Sequence, residues 1–192
     1  TDPFKSFSPG LVGNIVKNTD NTYNLTFKDG RIHKFNSSGR LLWQKDRNGL
    51  QTTLNYNTSG VLTGITDAVG RTLTISTGSN GNISQISDSI GTIASYEYYP
   101  STSLLKTVTY NDGSKYKFEY DDTAVSGKYF LTTVKDALNN ILEKHEYDSS
   151  GRATTSEKQG GVEKYTFLYE QWDTDGAHTK VTDAAQPTGN VT

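Results

Sequence analysis

Glycine returns in this chain about every ten residues, and that rhythm limits the fold more than any other feature. Gly30, Gly39, Gly49, Gly60, Gly70, Gly81 and Gly91 fall at that spacing. Two phrases alternate. In the first, an aromatic precedes Asn or Asp, two small polar residues and Gly, as in Phe35-Asn36-Ser37-Ser38-Gly39, Tyr56-Asn57-Thr58-Ser59-Gly60 and Tyr147-Asp148-Ser149-Ser150-Gly151. Looser copies end at Gly81, run from Tyr98 to Leu105, and run from Tyr120 through Gly127 to Leu131. In the second phrase Asp stands three residues before Gly: Asp46 with Gly49, Asp67 with Gly70 and Asp88 with Gly91, with Asp136 at a matching turn. Like positions lie 21 residues apart from Phe35 to Tyr56 and from Asp46 through Asp67 to Asp88. Each repeat therefore reverses direction twice. Glycine supplies the positive φ such turns need, while Asn and Asp bond their own backbone.

Between the reversals lie short runs rich in Thr, Tyr, Ile, Val and Leu, such as Leu50 to Tyr56 and Tyr116 to Tyr120, which read as β-strands. Alternation is clean where Thr53 and Asn55 oppose Leu54 and Tyr56, or Thr72 and Thr74 oppose Leu73 and Ile75. Elsewhere apolar residues stand three apart: Leu62 and Ile65, Ile83 and Ile86, Leu105 and Val108, Leu131 and Val134. Such a strand either carries a bulge or has both faces partly covered. Turns this frequent leave no length for a stable helix. Only 32% of the residues are hydrophobic, so the core is thin. A lone hairpin cannot repay its conformational entropy, and the repeats must stack edge to edge.

The absence of Cys excludes disulfides, thiolate catalysis and Cys-ligated zinc. A formal net charge of −2 with dispersed Lys and Arg gives no footprint for nucleic acid. No apolar run reaches the length of a membrane span, and no export signal opens the chain. A start at Thr1-Asp2-Pro3 without any Met reads as an excerpt of a longer polypeptide or a processed product.

Few residues carry chemistry. His33, His145 and His178 read as solvated strand residues, although a triad can assemble in space. Asp46, Asp67, Asp88 and Asp136 offer one carboxylate per repeat, a poor cation cage, and read as turn closers. Asp173-Thr174-Asp175-Gly176 is a fragment of a calcium loop without its downstream Glu. Gly78-Ser79-Asn80-Gly81 precedes a strand, not a helix, and is no phosphate loop. No cofactor or metal is expected. Sequons begin at Asn24, Asn36, Asn57 and Asn82. Trp43, Tyr56, Tyr98, Tyr110 and Tyr120 form a candidate ligand face, set against the simpler reading that they stack on each other across strands.

Aromatic-Asp/Asn-x-x-Gly-Arg-Leu, followed by Asp-x-x-Gly, resembles the YD repeat of the Rhs family, found in bacterial polymorphic toxins, Tc-toxin shells and teneurins. The resemblance covers roughly Asn21 to Asp183, with about seven copies, and the stretch Tyr23 to Phe35 is similar to the hairpin that leads into the first repeats of bacterial Rhs chains. Its repeat-defining residues here are Phe35, Gly39, Asp46, Gly49, Tyr56, Gly60, Asp67, Gly70, Gly81, Asp88, Gly91, Tyr120, Asp136, Tyr147, Asp148 and Gly151. It implies an all-β fold of tandem antiparallel hairpins in one long twisted, spiralling sheet, part of a cage shell around a toxin domain, with no helix of note. Asp183 to Gly189 does not match the self-cleavage motif that ends many such shells, so no proteolytic residue is carried over.

The sequence thus divides into a lead-in or cap (1–20), repeats (21–183) and a tail (184–192). The function expected is non-catalytic: a wall segment of a secreted or cell-surface, bacterial-type shell whose partners are the rest of the parent chain and its toxin cargo. The alternative is an adhesion module that binds glycan or protein through an aromatic β-face. A hydrolase would require His145 or His178 beside a carboxylate and a hydroxyl. Unpaired edge strands predict edge-to-edge self-association unless Thr1 to Gly13 fold back as a cap.

Overall fold

The computed structural model describes residues 4–5, 13–173 and 176–191. The proposed cap over 1–13 and the calcium-loop fragment at 173–176 lie largely outside the described residues. The chain divides into two compact units, Thr1–Ile93 and Ala94–Thr192. The first contains β1 (Phe4–Lys5), β2 (Gly13–Lys17), β3 (Tyr23–Phe27), β4 (Ile32–Phe35), β5 (Leu41–Lys45), β6 (Gln51–Tyr56), β7 (Leu62–Thr66), β8 (Thr72–Thr77) and β9 (Ile83–Ser87). The second carries β10 (Thr92–Tyr98) from Ala94 onward, then β11 (Leu105–Tyr110), β12 (Lys115–Val125), β13 (Lys128–Lys135), β14 (Ile141–Tyr147), β15 (Ala153–Lys158), β16 (Val162–Asp173), β17 (Gly176–Asp183) and β18 (Gln186–Val191). Within each unit every strand pairs antiparallel with its sequence neighbour. Among the described residues only the 3₁₀ turn Gln159–Gly161 is helical. The all-β fold of tandem antiparallel hairpins is as expected.

One turn geometry recurs. In the turn from Asn36 to Arg40, the Asn36 amide donates to the Arg40 carbonyl, and the Gly39 amide donates back to the Asn36 carbonyl. The same pair of bonds closes 46–50, 57–61, 67–71, 78–82, 110–114, 136–140 and 148–152. This is a type I turn followed by a left-handed residue, the three-residue hairpin loop. The first side chain reinforces it: Oδ1 of Asp46, Asp67, Asp136 and Asp148 each accepts two backbone N–H bonds from its own turn. Asn139, at φ 67°, replaces glycine in the 136–140 turn, as the short polar side chain of Asn permits.

The apolar residues spaced three apart mark bulges. Asn55 pairs with Gly64 but Tyr56 pairs with Leu62, which skips Thr63 and turns Leu62 to the same face as Ile65. The register slips in the same way before Phe35, Thr77, Tyr98, Tyr120 and Tyr147. One face of each sheet is consequently apolar. In the first unit it carries Leu25, Phe35, Leu54, Tyr56, Ile65 and Ile75; in the second, Ala94, Tyr96, Val108, Phe118 and Val134. Among the described residues only Ala94, Val108 and Val134 are buried hydrophobics, so the core is as thin as the composition implies.

Two glycines in one row of turns, Gly60 and Gly151, meet the preceding repeat. A Cβ on Gly60 would collide with the Arg40 guanidinium, and one on Gly151 would lie 2.5 Å from the Phe130 ring, whereas Gly49 and Gly70 face open space. All four have positive φ, so alanine costs about 1–2 kcal/mol at each. Gly60→Ala adds displacement of a flexible Arg, and Gly151→Ala adds displacement of a packed ring. Urea unfolding should therefore rank Gly151→Ala as the most destabilising, above Gly60→Ala, with Gly49→Ala and Gly70→Ala mildest and similar.

Candidate functional site

The repeated aromatic does its work at the place where each ladder runs out. Pairing of β5 with β6 extends from Lys45 and Gln51 to Trp43 and Thr53, which leaves the Leu41 carbonyl past the last rung. The Tyr56 hydroxyl donates to that carbonyl at 2.8 Å. The same contact recurs where the β13–β14 register ends at Thr133, with Tyr147 donating to the Leu131 carbonyl at 2.7 Å, and at β15–β16, with Tyr169 donating to the Ala153 carbonyl at 2.7 Å. Leu41, Leu131 and Ala153 are also the residues that face Phe35, Tyr120 and Tyr147 across the bulge. Each tyrosine thus clips its own hairpin to the one before and satisfies a backbone acceptor that the bulge displaced. Burial holds the Tyr147 phenol above its usual pKa, so it stays a donor well past neutrality.

The five residues of the expected ligand face do not form one surface. In the first unit Trp43 shares a face with Lys34 and Thr53, and its ring lies under the Lys45 ammonium at 5.0 Å. Tyr56 points to the opposite, apolar face with Leu54 two residues away. In the second unit Tyr98, Tyr110 and Tyr120 do share a face, together with Tyr96, Tyr116 and Phe118. Of Tyr98, Tyr110 and Tyr120, only Tyr110 is exposed, and it packs edge-on against Tyr116 with ring centroids 6.2 Å apart. Sequence reasoning missed Tyr116 and Tyr129 as surface aromatics. Tyr129 is 47% exposed, and its position beside the irregular stretch after Tyr120 was the available signal.

His145 meets the geometric condition set for catalysis. Its Nδ1 lies 3.1 Å from Ser156 Oγ, and Nε2 lies 3.6 Å from Glu143 Oε2. Ser156 faces His145 directly across β14 and β15, and β15 is laddered on its other side to β16. The contact is a cross-strand side-chain pair. His33 packs between Phe27 and Phe35, with ring centroids 4.8 and 6.3 Å away. Among the described residues no group of three or more His, Asp or Glu could hold a metal ion, and Asp46, Asp67, Asp88 and Asp136 spend Oδ1 on their own turns.

No family model and no curated protein matches the chain. Solved structures do. A chain of the TcdB2-TccC3-Cdc42 crystal structure superposes over 94% of this chain at TM-score 0.56 and 14% identity. A chain of the Photorhabdus luminescens Tc holotoxin pore gives the same figures, and one of TcdB2-TccC3 covers 88% at TM-score 0.52 and 15% identity. This chain spans 11 to 12% of the length of those chains. Its fold is that of Tc-toxin chains containing Rhs/YD shell repeats. No helix among the described residues is long and apolar enough to cross a membrane.

Two measurements check the clip and the turns. Tyr147→Phe should cost about 0.5–1.5 kcal/mol by losing the bond to the Leu131 carbonyl, while Tyr129→Phe should be nearly neutral. The turn carboxylates predict acid sensitivity. Hydrogen bonds from Thr22 hold the Asp20 carboxyl at about 2. Bonds from Arg31, Arg71, Ser114, Asn140 and Arg152 hold Asp29, Asp67, Asp112, Asp136 and Asp148 below the ordinary range. Depressed carboxylate values give stability that is complete above the unfolded-state value near pH 4 and lost as pH falls through the native values. His33, depressed by burial and then by Arg31, acts in the same direction from near pH 6.5 downward. Thermal midpoints should decline slightly between pH 7 and 5 and steeply between about pH 4 and 2.

Proposed function

We propose that this chain is a non-catalytic wall segment of an Rhs/YD-type shell, secreted or displayed at a cell surface, that encloses or presents a toxin or effector domain. The observation that carries this reading is a sheet built from hairpins clipped in sequence order, with its chemistry spent on holding itself together. The likeness to Tc-toxin chains supports it. Its partners are then the flanking parts of the same polypeptide and the enclosed cargo, and an excised copy with bare edges self-associates. In the full polypeptide, a cargo domain should resist protease at neutral pH and become cleavable once acid or urea opens the wall. Cleavage at equal rates in both conditions would overturn the reading.

A second reading, adhesion through an aromatic face, is supported by one observation: Tyr110, Tyr116 and Tyr129 lie on the same face of the second unit and are 39%, 41% and 47% exposed. Three accessible phenols on one face exceed what strand-to-strand stacking requires.

A further inference from the structure

Two departures from the repeat fall beside one another. The turn after β10 is the first. Where the recurring turns take five residues, here Tyr99 N donates to the Leu104 carbonyl, six residues span the reversal, and Ser103 takes the left-handed position at φ 57°. The extra length presents Ser101 and Thr102. The second departure is the hairpin of β12 and β13, which runs on to a pairing of Val125 with Lys128 and carries Tyr129 beyond the Tyr120–Leu131 bulge. A wall needs neither irregularity. Together they border an open hollow of about 510 Å³ lined by Tyr99, Ser101, Thr102, Leu104, Glu119, Tyr120, Tyr129 and Thr132, within the size range of small-molecule sites.

The lining has a definite chemistry. Tyr99 and Tyr120 stand at 87° with centroids 6.3 Å apart, a corner rather than a stack, and the Lys106 ammonium lies over the Tyr99 ring at 5.8 Å, so the freest ring surface at the hollow is that of the exposed Tyr129. Tyr99 Oη donates to the Phe118 carbonyl and Thr132 Oγ1 to the Glu119 carbonyl, at 3.1 and 3.2 Å, which leaves both oxygens as acceptors for an incoming hydroxyl. Glu119 is itself part of the lining, and Lys135 Nζ binds its carboxylate at 2.6 Å. Ring faces with hydroxyls between them, and a carboxylate already paired to Lys135, match the C–H faces and O–H edges of an uncharged sugar.

We infer that this cup is a subsite for a neutral pyranose within a glycan. It rests on the adhesion reading and names the ligand class, and it is independent of the wall role. Nuclear magnetic resonance titration of the folded chain with cellotriose, maltotriose and triacetylchitotriose tests it. At least one trisaccharide should shift the amides of 99–104, 120 and 129–132 with millimolar affinity. Tyr129→Ala, at an exposed position, should weaken binding about three- to tenfold and Tyr129→Phe much less. Tyr116→Ala, outside the cup, should leave it unchanged. No shift with any of the three sugars would sink the subsite, as would shifts produced only by a proline-rich peptide. Loss of cell adhesion in Tyr116→Ala with no sugar binding at the cup would discard the subsite yet keep the adhesion reading. Retained sugar binding in Tyr129→Ala would also overturn it.

Discussion

The backbone ladder takes on the task that a hydrophobic interior performs in most domains. With no side chain fully enclosed among the described residues, a strand here is stabilised chiefly by neighbours on both edges and by half-buried contacts on one face. That places a strict demand on every backbone carbonyl and amide: each must find a rung, a turn or a side chain. The turns, the bulges and the tyrosine clips are three answers to this single demand. A bulge that aims Leu62 and Ile65 to one side disturbs the rungs around it, and the recurring geometry of the clip at Tyr56, Tyr147 and Tyr169 restores an acceptor that would otherwise be stranded.

Much of this was legible in the sequence, because turn chemistry is local. Asp67 bonds the amides of Val69 and Arg71, and Gly70 takes φ +87°, all within five residues. The spacing of Leu105 and Val108 also announced its bulge, although sequence alone left the alternative of two covered faces open. What stayed hidden depends on register. Trp43 and Tyr56 sit 13 residues apart on adjacent strands, and only the pairing of Trp43 with Thr53 reveals that they point to opposite faces. The bond from Tyr147 to Leu131 reaches back 16 residues across a slipped ladder, and the stacking of Phe130 over Gly151 spans a similar distance. The pairing of His145 with Ser156 was foreseeable only as a condition, since residues 11 apart meet only if a particular hairpin sets them opposite.

The fold tolerates wide divergence for the same reason. At 14% identity the path of the chain over 94% of its length still follows that of Tc-toxin chains. Few positions are dictated: a residue able to adopt the left-handed region, an Asx to close the turn, an alternating face and a phenol at the ladder's end. Asn139 in place of glycine, and Phe35 in place of tyrosine, show that even these admit exchange where the local geometry allows it.

Because each clip reaches back only to the preceding hairpin, the structure has a natural unit of growth. Splicing in or excising a whole period rejoins every phenol to an equivalent carbonyl and keeps the greasy side facing one way. A cut of half that length would hand the role of one turn row to the other and strand a clip. Sheets of different span can therefore arise from the same short text simply by copying it, without any new contact having to be invented.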